Sequence, residues 1–180
     1  MKKIICVILA VVALNFVFTG CKNEPEDGFK RAESKTCDFY YTLPDTWDIT
    51  YTDGMLAARN PDDKTGANVV GYSFYHNLDE EPSAEQYWDI YKTQFENTFA
   101  TMNVVKNEET TLSGVIARHV YYTVDMGEDS FNCQTVICVY AGKVYTLTLT
   151  QGIMTEENSE FYNDHSDEFL EIAKSFRIGA

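Results

Sequence analysis

The chain has 180 residues and a formal net charge of −14, with 28 acidic residues against 14 basic ones. Such an excess of negative charge excludes binding to nucleic acid or to anionic lipid headgroups by charge attraction. The length suits one domain with a hydrophobic core, and the 12 Tyr and 11 Phe favour a sheet-rich structure.

The first 20 residues are predicted to be a bacterial lipoprotein signal peptide. Lys2 and Lys3 give a positive start, and an uncharged apolar run begins at Ile4. The small residues before Cys21 indicate a lipobox, in which cleavage precedes the cysteine and its sulfur carries a diacylglycerol. Fatty acyl chains such as palmitate then fasten the protein to a membrane. Two alternatives stay open: an uncleaved anchor, which is short for a span, and ordinary secretion, for which an A-x-A-like site is missing.

Residues 21–36 are predicted to be a flexible tether. They carry several charges together with Pro25 and Gly28, and they show no apolar period, which is typical of a polar linker. The folded domain is therefore expected to span residues 37–180.

The first part of this domain is predicted to consist of antiparallel strands joined by short turns. Aromatic and β-branched residues predict strands over residues 38–43 and 47–52. Asp53-Gly54 is a hairpin signal, which makes residues 55–59 the return strand. A further strand is predicted over residues 67–75.

A helix is predicted after Pro82. Ser83 and Gln86 have the spacing of a capping box, and large apolar residues follow at steps of three and four. The stripe consists of Tyr87, Trp88, Tyr91, Phe95, Phe99 and Met102. A stripe of this kind is usually the core face of a helix; the alternative is a ligand groove.

The second part of the domain is predicted to contain four strands and a closing helix. The strands are expected over residues 103–112, 115–124, 131–140 and 143–151, with two-residue turns between the first and last pairs. The strand over residues 115–124 is nearly continuously apolar, which indicates that both of its faces are partly covered. The helix is expected from about residue 156 to 177, with a break where the sequence turns polar near residues 163–167.

Three cysteines remain after the leader peptide: Cys37, Cys133 and Cys138. Cys133 and Cys138 are five residues apart, so on one regular strand they face opposite sides and cannot bond to each other. Cys37 and Cys133 each share the parity of an apolar row, which predicts a Cys37–Cys133 disulfide worth ~4–5 kcal/mol in the loop-entropy model. The alternative is three reduced, buried cysteines.

The sequence contains no recognisable catalytic motif, since H-E-x-x-H, C-x-x-C, G-x-S-x-G and phosphate-loop patterns are all missing. The three histidines lie far apart, and His119 is interpreted as a satisfied or surface histidine. Two acidic loops, residues 62–66 and 125–129, offer oxygen ligands without the spacing of an EF-hand. They are interpreted as solvated turns, with calcium binding as the alternative. We predict no catalytic residue, no metal site and no cofactor.

The order of elements predicts an α+β fold, with an antiparallel sheet of about six to eight strands and helices packed against it. Leu43-Pro44-Asp45-Thr46-Trp47, which follows an aromatic strand, resembles the start of the PsbP-like superfamily. Residues 112–117, the hairpin at 142–147 and the closing Lys174-Ser175-Phe176 are similar too. The resemblance covers residues 37–178 and implies an α/β/α sandwich.

The resemblance also implies a role. PsbP-like proteins act mostly in binding or assembly, many bacterial members are small lipoproteins, and no shared catalytic motif is available to transfer. We therefore expect a lipid-anchored, extracytoplasmic and non-catalytic module of the bacterial cell envelope, which binds a protein or envelope component. One alternative is a small-ligand receptor that uses Trp47, Trp88 or Tyr122 in a cleft between sheet and helix. The other is a hydrolase whose site the sequence does not reveal.

Overall fold

The computed structural model describes residues 24–127 and 129–179. The predicted signal peptide and the lipidation site at Cys21 lie outside these residues. The described part forms two antiparallel sheets and two helices. In chain order the elements are β1 (Phe29–Glu33), β2 (Phe39–Pro44), β3 (Asp48–Thr52), β4 (Met55–Arg59), β5 (Asn68–Tyr75), α1 (Ala84–Thr98), β6 (Met102–Leu112), β7 (Val115–Met126), β8 (Asp129–Tyr140), β9 (Lys143–Gly152), α2 (Ser166–Ser175) and β10 (Arg177–Ile178).

The large sheet has seven strands in the order β3-β4-β5-β9-β8-β7-β6, and the small sheet has three in the order β1-β2-β10. Every pairing is antiparallel. The predicted α+β class is thus confirmed. Neither helix within the described ranges is long and apolar enough to cross a membrane.

The two faces of the large sheet bury different sets of residues because side chains alternate along each strand. One face packs against β2 and α2 and includes Leu56, Leu147 and Val136; we call it the closed face. The opposite face packs against α1 and includes Val120 and Ile137; we call it the α1 face. Both faces of β7 and β8 are therefore covered, as the apolar run predicts.

The closed face brings the small sheet close to the large one. Phe39 and Tyr41 of β2 are fully buried there, and Phe39 stacks on Phe176 with ring centroids 5.1 Å apart. The strand opposite them has Gly71, where a Cβ atom would lie 2.7 Å from the Phe39 ring and 2.8 Å from the Tyr41 ring. Only glycine leaves enough room for this close approach.

The α1 face is covered over part of its width. The predicted capping box is present, since Ser83 Oγ accepts from the Gln86 amide and Gln86 Oε1 accepts from the Ser83 amide. The helix lies over β7 and β8, and Trp88 contacts the Tyr122 ring at 5.5 Å. Farther along the sheet, Val70 is half-buried and Tyr72 is 41% exposed. The aromatic stripe is thus mainly a core face, although Phe99 at its end is exposed.

The predicted tether contains a strand, so the expected boundary at residue 37 is wrong. Residues 29–33 pair with β2 along their whole length, and Ala32 is fully buried. The strand carries charged residues at three of its five positions, which hides it from a search for apolar alternation. Ordered backbone pairing therefore begins at Phe29.

The closing helix is shorter than predicted. Residues 154–165 form turns and irregular structure, and the helix begins only at Ser166. Buried Gln151 stabilises this path, because its Oε1 accepts from the His165 amide and its Nε2 donates to the Tyr162 hydroxyl. The polar stretch near residues 163–167, which predicts a break within a longer helix, is thus where the helix begins.

Candidate protein-binding groove

The three cysteines within the described residues, Cys37, Cys133 and Cys138, are free and buried, so the predicted Cys37–Cys133 disulfide is not formed. Both residues do point inward, as their parity predicts, but they enter different cores. Cys37 belongs to the closed face and Cys133 to the α1 face. Alternation along a strand shows which residues point into a core, but it does not show which face of the sheet that core lies on. Burial raises the pKa of all three thiols, Cys138 to about 12, so they are poor nucleophiles.

The aromatics considered for a small-ligand cleft do not form one together. Trp47 lies in the closed-face core, whereas Trp88 and Tyr122 lie in the core under α1. Each is at least 96% buried by its neighbours. The Tyr122 hydroxyl bonds with Thr135 at 3.0 Å, which satisfies its polar end. These side chains serve packing.

His119 is a buried and satisfied histidine, as predicted. It is 4% exposed on the closed face, and its Nε2 lies 3.2 Å from Gln134 Oε1. Burial lowers the pKa of His119 below its ordinary value, although the hydrogen bond that the imidazole donates to Gln134 and the charge of Glu108 both act to raise it. The Glu108 carboxylate lies 4.0 Å from Nδ1.

A second buried histidine is His165, one of the three that lie far apart in the sequence and to which no role is assigned there. Its Nδ1 lies 2.7 Å from Glu168 Oε2, and its Nε2 lies 3.6 Å from Asp63 Oδ1. Trp47 packs edge-on against its ring. The spacing of three residues between His165 and Glu168 is the signal available in the sequence, since it indicates one helix face. The contacts join the Asp63 loop to the start of α2.

Each acidic loop uses one carboxylate in internal hydrogen bonds, Asp63 in the first and Asp125 in the second. Asp63 Oδ2 accepts from the Ala67 amide at 2.6 Å and from the Thr65 hydroxyl at 2.7 Å. Burial raises the Asp63 pKa, but these hydrogen bonds outweigh it and the pKa lies below its ordinary value. In the other loop, Asp125 accepts from Ser130. Within residues 24–127 and 129–179 no group of three or more His, Cys, Asp or Glu side chains is arranged to hold a metal ion.

A concave surface lies beside the first described residues; we call it the N-terminal groove. It runs between residues 24–29, β2 and α2 and encloses a volume of about 490 Å³. Pro25, Phe29, Pro44 and Ile172 line its apolar part. The volume falls within the range of ~300–1,000 Å³ that is typical of ligand-binding clefts.

The walls of the groove are fixed by hydrogen bonds and packing. The Ser175 hydroxyl accepts from the Thr42 amide at 2.8 Å and donates to the backbone of α2 or β2. Below this contact, Ile172 and Phe176 are buried in the closed-face core. The strand pair β1 and β2 holds the other wall. The walls that β2 and α2 contribute to the groove are therefore preformed features of the fold.

Carboxylates surround the apolar part. Glu24 and Glu26 lie on the N-terminal side, and Glu168 and Glu171 lie on the α2 side. Lys174 also lines the groove, but its Nζ lies 2.6 Å from Glu171 Oε1. Phe29 is 44% exposed in the middle of this acidic setting. An apolar surface with a charged rim has the anatomy of a protein-binding site.

The fold and this groove define a class: a small α+β domain, with a sheet between layers, that presents a preformed surface. No protein-family model matches the chain, and no curated protein matches its sequence. Solved structures show that the fold is PsbP-like, which confirms the resemblance at the level of fold.

Three solved structures illustrate the similarity. Cyanobacterial PsbP (CyanoP) from Synechocystis is 13% identical with a TM-score of 0.62, over 89% of this chain and 98% of that one. The Ran-binding protein Mog1p of Saccharomyces cerevisiae is 9% identical with a TM-score of 0.60, over 83% and 95%. LpqN of Mycobacterium tuberculosis, which is involved in cell envelope biogenesis, is 12% identical with a TM-score of 0.51, over 84% and 92%.

Proposed function

We propose that this chain is a lipid-anchored protein of the bacterial cell envelope whose domain binds a protein partner without catalysis. The observation that carries the proposal is the N-terminal groove, with its exposed Phe29 and fixed walls. The groove begins at Glu24, three residues after the predicted lipidation site at Cys21. Binding at the groove thus takes place close to the membrane surface.

The fold relatives support a binding role. Mog1p is named for binding Ran, and LpqN for its part in cell envelope biogenesis. The domain of this chain has the same fold and a preformed groove. The interior supports the same conclusion, since the aromatics suited to a ligand cleft are used in packing. A binding module is therefore favoured over a small-ligand receptor or a hydrolase.

Site-specific cross-linking in the native envelope tests the binding site. A photoreactive phenylalanine analogue replaces Phe29, and a matched control carries it at Ile116, which is 66% exposed. We expect irradiation to give a discrete protein adduct from the groove position and none of the same mass from the control. Identical adducts from both positions, or none from the groove, would contradict the proposed site.

Lipidation is tested separately. Replacing Cys21 by Ser removes the sulfur that carries the diacylglycerol. We expect the variant to keep its leader peptide unprocessed by the lipoprotein pathway and to lose the radioactive label when cells are fed tritiated palmitate. Equal palmitate incorporation in wild type and variant would show that Cys21 is not the acylated residue.

A further inference from the structure

We infer that the N-terminal groove binds a protein segment in which lysine or arginine residues flank an apolar side chain. This inference rests on the proposed function and adds the chemistry of the partner.

The apolar part requires an apolar side chain from the partner. Phe29, Pro25 and Pro44 present carbon surface to solvent beside the buried Ile172. Covering such a surface with an apolar side chain removes it from water, at roughly 25 cal/mol per Å². The groove is not a closed cavity, so it fits an extended segment better than an isolated small molecule.

The charge around the groove requires a basic segment. Four carboxylates line it against a single ammonium group, that of Lys174, which already pairs with Glu171. Glu168 is engaged by His165. Among the described residues no side chain pairs with Glu24 or Glu26, so these two carboxylates are available to a cation from outside. An acidic segment or an anionic headgroup would be repelled.

The position in the chain places this partner at the membrane surface. Three residues span at most ~11 Å when fully extended, so Glu24 lies within that distance of the Cys21 backbone. Ordered pairing with β2 then begins at Phe29, which leaves little slack. The partner segment that occupies the groove of the lipidated protein therefore lies close to the membrane surface.

A designed peptide tests the inference on the full lipidated protein in phosphatidylcholine vesicles. The probe is a capped, fluorescently labelled pentapeptide with one leucine between two lysines on each side. Its controls carry glutamates in place of the lysines, or serine in place of the leucine, and empty vesicles give the blank. We expect fluorescence polarisation to show binding of the first peptide only, and weaker binding as salt rises from 50 to 300 mM, because salt screens exposed charges.

Two double variants locate the binding. Glu24→Gln with Glu26→Gln is expected to weaken the affinity about fivefold, given the modest strength of exposed ion pairs. The matched control, Glu80→Gln with Glu85→Gln, removes the same charge from exposed positions just before α1 and in its first turn, and is expected to leave the affinity unchanged. Equal loss in both variants, or equal binding of the glutamate peptide, would overturn the inference.

The cross-linking experiment separates this inference from the proposed function. If the Phe29 adduct maps to a partner segment without basic residues, the inference fails and the proposed function stands. If the adduct is a second copy of this chain, or lipid alone, the inference fails as well, since it commits to a basic segment of another protein.

Discussion

The closed face and the α1 face of the large sheet differ in how completely they are covered. The closed face packs against both the small sheet and α2, and its core runs from β1 to Phe176 near the end of the chain. The α1 face carries one helix over β7 and β8, so residues such as Tyr72 remain exposed. One sheet thus has one face whose centre is covered by two elements and one face that is more open.

The difference identifies which layer supports the groove. Both walls of the N-terminal groove, β2 and α2, belong to the closed-face layer. The layer of α1 contributes no residue to it. Damage to the closed face should therefore disturb both stability and the groove, whereas damage under α1 should spare the groove.

The largest effects are expected from the two buried tryptophans. Trp47→Ala on the closed face and Trp88→Ala under α1 each empty a site that is 99% buried, so each should lower the free energy of unfolding by ~3–5 kcal/mol. Urea titration measures this loss. In hydrogen-exchange measurements we expect Trp88→Ala to accelerate the exchange of backbone amides mainly in α1. We expect Trp47→Ala to accelerate it mainly in β2 and α2. If both variants accelerated amide exchange equally in both layers, the two layers would unfold together and not independently.

Substitutions at two neighbouring residues of β5, which point to opposite faces of the sheet, allow the two faces to be compared directly. Gly71→Ala should lower the free energy of unfolding by ~1–3 kcal/mol, because its new Cβ atom meets the Phe39 and Tyr41 rings. Val70→Ala, on the partly open α1 face, should cost less than about 1 kcal/mol since the side chain is only half-buried. Thermal unfolding of the two variants measures the contrast. A larger loss for Val70→Ala would contradict the assignment of the faces.

The sequence predicts the strands and α1 well because their signals are local. The alternation in β9 correctly separates Leu147 and Leu149 from the threonines on the other face. The capping box at Ser83 likewise fixes the start of α1 within a few residues. Such patterns depend on neighbours along one element.

The remaining features depend on which elements meet in space. β1 is stabilised by its pairing with β2 and has no apolar pattern of its own. The sequence predicts that Cys37 and Cys133 are both buried. Only the arrangement of the layers in the fold shows that they lie on opposite faces of the large sheet. The N-terminal groove combines residues 24–29 with α2, more than 130 residues later, so no sequence window contains it.

The carboxylate of Asp38 joins the small sheet to the large one. It accepts from Lys143 Nζ at 2.7 Å, from the Tyr145 hydroxyl at 2.9 Å and from the Ser73 hydroxyl at 2.8 Å. Burial raises its pKa, but these bonds outweigh it and the pKa lies below its ordinary value of 3.8. Asp38→Asn should lower the free energy of unfolding by about 1 kcal/mol near neutral pH, after allowance for solvent screening.

The pH dependence of this variant checks the cause. A carboxylate with a depressed folded pKa stabilises the native state above its unfolded pKa, and that contribution disappears as the pH falls through the folded value. The stability difference between wild type and Asp38→Asn should therefore be largest above about pH 4 and shrink in more acidic buffer. A difference that stays constant down to the acid transition would show that shape, and not charge, is responsible.

The smallest effect is expected at His119, which the closed face buries beside the rings of Tyr121 and Phe169. The groups facing its ring are Gln134 and Glu108, with Lys106 nearby. Because its folded pKa is lowered from 6.5, the unfolded chain takes up a proton at a higher pH than the native protein does. Stability should therefore fall as the pH drops below about 6.5. His119→Gln removes this proton uptake while retaining a polar group next to Gln134, so its curve of stability against pH should be flatter between neutral pH and pH 5 in urea titrations. A curve of stability against pH that runs parallel to that of wild type would mean that water reaches His119 on the closed face and solvates its imidazolium. The two faces of the sheet would then differ in packing and not in polarity.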